Sequence, residues 1–260
     1  MLVDITRLEL RLRRRSAIGY AAGMALYTLV VVALYPSFKN STSLDSLSGS
    51  TAAALFGVTR PLTSPGGWLN GNIYSNFFPL IMLLLTISYG AAALAGQDED
   101  GTLALMAALP IRRRTIVLQK AWAMTLQALL LAAAATVCVL AGRSFQLTVS
   151  PGNTVAIAAA LTLMGLDFGL ATMAAGAATG RRGTALGIGT GLAAASYLLS
   201  SLAPTIPGIR PGRYLSLFYW SVGNDQISNG VSIADFTVLT VAGLCALIAA
   251  VAAFRQADLN

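Results

Sequence analysis

Residues 77–141 read FFPLIMLLLTISYGAAALAGQDEDGTLALMAALPIRRRTIVLQKAWAMTLQALLLAAAATVCVLA. Two apolar runs in it, 77–95 and 121–141, each match the roughly 20 helical residues needed to cross a hydrocarbon core. Between them lies a charged piece opening on Gln97-Asp98-Glu99-Asp100-Gly101-Thr102 and closing on Leu109-Pro110-Ile111-Arg112-Arg113-Arg114. This order predicts two membrane spans joined by a short displayed connector.

Outward from this stretch, four more runs have the same length and character: 16–34, 154–178, 184–202 and 236–254. Hydrophobic residues make up 56% of the 260 positions and charged ones 10%, where a soluble domain carries about 25% charged residues. We expect an all-α membrane protein with six transmembrane helices in one domain, 1–260. Ahead of the first span, Leu2, Ile5, Leu8 and Leu12 share one helical face, and Arg7, Arg11, Arg14 and Arg15 lie opposite. That pattern predicts an amphipathic helix in the interface plane. The run after Arg15 could imitate a signal peptide, but five further spans favour an uncleaved first helix.

Lys and Arg are retained on the cytoplasmic side of short loops. Of the 17 cations, 12 fall on the N-terminal segment, the second-to-third and fourth-to-fifth connections and the tail; five fall on the other, longer loops. Both termini are therefore expected in the cytoplasm. Split among membrane flanks, these charges form no nucleic-acid footprint, so the net charge of +7 is a topology signal with some attraction to membrane lipid. Arg outnumbers Lys fifteen to two and Ala is abundant, which points to a GC-rich bacterium and its inner (cell) membrane. Cys138 and Cys245 lie within apolar runs, where packing is the expected role.

The loop 35–76 is rich in Ser, Thr, Gly and Pro, and is expected to hold one short helix around Ala52-Ala53-Ala54-Leu55-Phe56. A second loop, 203–234, carries Phe218, Tyr219 and Trp220, either an interfacial anchor or a re-entrant element. Glycines four apart, Gly19 and Gly23, Gly165 and Gly169, and Gly183, Gly187 and Gly191, are candidate helix-helix contacts, within the chain or at a dimer seam.

Enzyme chemistry finds little support. The chain has no His, no nucleophile elbow and no metal-spaced cluster, so catalytic and metal-ligand residues are expected to be none. Gly187-Ile188-Gly189-Thr190-Gly191 lies in a span without the preceding strand of a nucleotide fingerprint. A phosphate loop needs a Lys after its glycines, and neither Lys39 nor Lys120 is in that setting. If ATP drives this protein, another polypeptide must bind it. Asp167, in the fourth span, costs about 3 kcal/mol to insert and should face a partner helix or a translocation path.

In the connector, Thr102 can cap a short helix whose positive end lies near Asp98, Glu99 and Asp100. Leu103, Leu105, Met106 and Leu109 give that helix an apolar face, and Pro110 ends it. It is suited to docking a soluble partner.

The stretch Glu99-Asp100-Gly101-Thr102-Leu103, the turn Ala108-Leu109-Pro110-Ile111-Arg112-Arg113 and Lys120 resemble the hallmark of ABC-2 type permeases, the membrane subunits of ATP-binding-cassette exporters. Leu8-Glu9-Leu10-Arg11, Leu215-Ser216-Leu217-Phe218-Tyr219-Trp220 and Phe254-Arg255-Gln256-Ala257-Asp258-Leu259 resemble the family's start, last outer loop and ending. Two departures are Asp98-Glu99-Asp100 where Glu-Glu-x is common, and Gln256-Ala257 where Arg before Asp is common. The resemblance implies a coupling helix over 99–114, with Glu99, Asp100, Gly101, Thr102, Leu103, Leu105, Leu109, Pro110, Arg112 and Arg113 meeting a cytoplasmic ATPase subunit that binds ATP and magnesium. It also implies a second permease chain, identical or a paralogue, and export of a drug, antibiotic or lipid-like substrate. An ion-coupled secondary transporter using Asp167 is the alternative.

Overall fold

The computed structural model describes residues 4–41, 60–101, 112–203, 207–223 and 225–256. Among these the chain is helical, with six helices long and apolar enough to cross a membrane. A short α1, Asp4–Leu12, precedes α2, Arg14–Phe38. Next come α3, Pro65–Glu99, α4, Arg113–Ala141, α5, Pro151–Thr179, and α6, Arg182–Leu202. Two short helices, α7, Leu217–Val222, and α8, Gln226–Asn229, lead into α9, Ile233–Gln256. The spans alternate in direction, so α1, both flanks of the 102–111 connector, the α5–α6 turn and the end of α9 share one arginine-rich end. The connector helix and the Ala52–Phe56 helix expected from the sequence lie outside the described residues.

α3 begins twelve residues before the expected start at 77. Ser64 accepts a hydrogen bond from the Gly67 N–H (3.1 Å), and Pro65 takes the first turn, where its missing N–H costs nothing. The polar run that suggested a loop is satisfied within a wide helical turn, Asn70–Phe77. Asn72 donates to the Trp68 carbonyl, Asn76 to the Gly71 carbonyl and Ser75 to Asn70 Oδ1. Tyr27 of α2 donates to the Asn72 carbonyl (3.0 Å).

The centre of the bundle is α5, whose most apolar window is 67% buried, against 11% for α9 and 17% for α6. Small residues permit this. A side chain at Gly90 of α3 would run into the Gly169 carbonyl of α5, and one at Gly165 into Met82. Gly169 lies under Met124 and Thr86. Gly165 and Gly169 are thus internal contacts. Gly19, Gly23, Gly183, Gly187 and Gly191 meet nothing within 4 Å and face outward. Within the fingerprint-like run, Gly189 alone turns inward, onto Thr172 of α5. Cys138 is half-buried, and Cys245 is exposed instead of packed in a core.

Candidate functional site

At the arginine-rich end, α1 is strapped to α3 and α4 by a buried polar cluster. Lys120, at a depth where an unpaired ammonium would be costly, is 0% exposed and donates to Glu9 Oε1 (2.6 Å) and Gln97 Oε1 (2.6 Å). Gln97 Nε2 donates to the same Glu9 oxygen (3.0 Å), and Arg13 approaches Glu9 Oε2 at 3.4 Å. The Arg13 guanidinium also lies over the Tyr89 ring, 4.4 Å from its centroid. Gln119 completes the strap. Its side-chain oxygen takes the Ile5 N–H, which no helix turn can satisfy, and its carbonyl takes the Thr6 hydroxyl.

The cluster decides which face of α1 is inside. Ile5, Thr6 and Glu9 are buried, whereas Leu8 and Leu12 are 48% and 71% exposed. The apolar stripe is thus split: Ile5 turns inward beside Glu9, drawn by the carboxylate's ammonium partner, while Leu8 and Leu12 stay exposed, as the interfacial helix expected from the sequence would leave them. The sequence reading placed Gln97 at the head of the connector and Glu9 in the family-like start but joined neither to Lys120, and Gln119 did not stand out. One signal was available: a lone Lys at the head of a span requires an acidic partner.

Burial alone would raise the Glu9 carboxyl, but the Lys120 ammonium, with Arg13 and Gln97, holds it below its ordinary value. A carboxyl lowered by folding adds stability that is complete above its ordinary pKa, about 4.3, and is lost as pH falls from there through the lower folded value. Melting in detergent is therefore expected to be level from neutral pH to about 5 and to drop below about 4. Glu9→Gln should flatten that acid limb.

The connector's flanks are tied to two other helices. α3 stops where Gly101 adopts φ 69° and its N–H returns to the Asp98 carbonyl. Just before that stop, Glu99 Oε1 accepts the Arg182 N–H at the start of α6 (2.9 Å). Arg181, the cap position of α6, makes no side-chain cap bond, so Glu99 caps that helix from outside and opposes its positive end. Gly180, at φ 62°, forms the tight α5–α6 turn beside Asp98. On the other flank, Arg113 Nη1 donates to the Phe254 and Arg255 carbonyls (3.1 and 3.4 Å), closing the C-terminus of α9. Asp100 and Arg112 are exposed. Thr102, Leu103, Leu105, Leu109 and Pro110 lie outside the described residues.

Asp167 faces α9, where Gly243 leaves it room: a Cβ there would stand 2.6 Å from Asp167 Oδ1. Its Oδ2 is buried with no hydrogen-bond partner among the described residues. A groove of about 740 Å³ opens elsewhere, between α2, α3, α6 and α7. Leu80, Leu84 and Tyr197 give it apolar walls, and Asn76, Ser88 and Thr190 polar points; Asp167 does not line it.

Fold and site define a multi-pass helical membrane protein whose charged connector is tied to the bundle on both flanks. The family described as ABC-2 family transporter protein matches residues 3–211, and the chain belongs to that family as a membrane transport subunit. Comparison with curated proteins gives no match.

Proposed function

We propose that this chain is the permease of an ATP-driven exporter, with the arginine-rich end in the cytoplasm and an ATPase subunit docked on residues 99–114. The observation that carries this is the double anchorage of the connector. A push on 102–111 reaches α6 through Glu99, α9 through Arg113, and α1 through Gln97 and Lys120. ATP and magnesium belong on the partner. Lys120 is buried against Glu9, and Lys39 lies at the end opposite the proposed docking site.

The groove suits an amphipathic cargo of the drug, antibiotic or lipid-like class, since small-molecule sites run to about 300–1,000 Å³ with a few polar points on apolar walls. The outward faces of α2 and α6, bearing Gly19, Gly23, Gly183, Gly187 and Gly191, leave room for the close approach of a second permease chain.

The test is mild-detergent purification from the native membrane, followed by transport in vesicles. A soluble protein carrying Gly-x-x-x-x-Gly-Lys-Ser/Thr should co-purify, and export should stop on ATP depletion. Asp167→Asn keeps the size of the side chain and should leave export within about twofold. Export that outlasts ATP but fails in Asp167→Asn would transfer the function to the ion-coupled alternative.

A further inference from the structure

The end opposite the arginine-rich one carries a feature that force transmission does not use. Among the described residues there, Arg60 is paired with Asp225, whereas Arg210 and Arg213 have no carboxylate partner. Both sit on the tight helix Pro207–Leu215, where with Pro211 and Tyr214 they line a recess of about 460 Å³. The Arg213 guanidinium is held in place by aromatic rings. It lies over Tyr214 and Tyr219, 4.8 and 5.1 Å from their centroids, and Nη2 donates to the Tyr214 hydroxyl (2.8 Å). Trp220 locks the strand of contacts by donating to the Tyr214 carbonyl (2.8 Å). Arg210 is exposed at the mouth.

This element is also turned toward lipid. Leu215 is 83% exposed and Ile233, which opens α9 at the same end of the bundle, 87%. Exposed aliphatic side chains beside Tyr and Trp at the end of a span mark the depth where acyl chains meet headgroups. A guanidinium held at that depth, with Nη2 on the Tyr214 hydroxyl and no carboxylate partner, can offer its remaining N–H groups to the non-bridging oxygens of a phosphodiester.

We propose that Arg210, Arg213 and Tyr214 form a binding site for the anionic phosphodiester headgroup of a glycerophospholipid, whose chains lie against Leu215. The site gives the 207–222 segment a lipid-dependent anchor, and it stands whether or not the transport reading does.

The experiment uses the full chain with Trp122, exposed on the lipid face, replaced by Phe. The remaining indoles are Trp68, buried and bonded to the Val31 carbonyl, and half-buried Trp220 at the site. Nanodiscs receive dibrominated phosphatidylglycerol or dibrominated phosphatidylcholine at equal mole fraction, and indole quenching is compared. The anionic lipid should bind about fivefold more tightly for each arginine engaged, and Trp220→Phe should remove that difference. R210Q/R213Q should bring the two lipids level while quenching by phosphatidylcholine stays unchanged, which shows the segment still in place. R210K/R213K keeps the charge but loses the fork, and should keep most of the preference while weakening the binding of both lipids. Equal quenching in the parent, or an undiminished preference in the glutamine variant, would refute the site. Abolition of the preference by millimolar inorganic phosphate would overturn the lipid assignment in favour of a soluble phosphate ligand.

Discussion

Lys120→Met should destabilise the membrane fold by about 3–5 kcal/mol, read as a lower midpoint in detergent unfolding. The cost comes from what is left behind. Glu9 would remain 2% exposed with only Arg13, at 3.4 Å, to balance its charge. The double variant Glu9→Gln, Lys120→Met removes both charges and should recover most of the loss, because a buried ion pair repays little more than its own desolvation. Gln97 bonds to both partners, so the cycle should give an interaction energy well outside additivity. A double variant as unstable as Lys120→Met alone would show that the lost bond to Gln97, and not the unpaired Glu9 charge, sets the cost.

Glu99→Arg is expected to leave the spans folded and abolish both stimulated ATPase activity and export. The carboxylate is exposed and contributes one cap bond to α6, so the loss to stability is confined to about 1–2 kcal/mol. The larger effect is on coupling, since a cation would then face the positive end of α6 and uncouple that helix from the connector. ATPase assays of the reconstituted complex alongside vesicle transport distinguish the two consequences. Undiminished export in this variant would sink the coupling role of Glu99.

The six spans were legible because the bilayer imposes one length and tolerates few charges, a constraint that each run meets without help from its neighbours. The start of α3 was not. Asn70, Asn72, Ser75 and Asn76 look like loop residues until a wide helical turn and Tyr27 satisfy them, and hydropathy is blind to that. The connector's flanks follow local signals, a stop at Gly101 and a restart at Arg113, while the helix expected between them lies outside the described residues. The Glu9–Lys120 pair follows none, since its members are 111 residues apart and charge alone says nothing about depth. Glycine spacing was equally ambiguous. Gly165 and Gly169 bury against α3 while Gly183, Gly187 and Gly191, at the same interval, face outward; which face a helix turns inward is decided by its neighbours.

The backbone contact between Gly90 and Gly169 has a mechanical consequence. Two helices in contact main chain to main chain leave no room for a side chain between them, so α3 and α5 are expected to move as one body. The spans whose apolar windows are most exposed are α6 and α9, although α9 packs along α5 at Gly243 and Asp167. Each is gripped at its arginine-rich end by a residue flanking the connector, Glu99 for one and Arg113 for the other. Under the proposed docking of an ATPase, a push at 102–111 would therefore bear first on the two spans most exposed at the edge of this bundle.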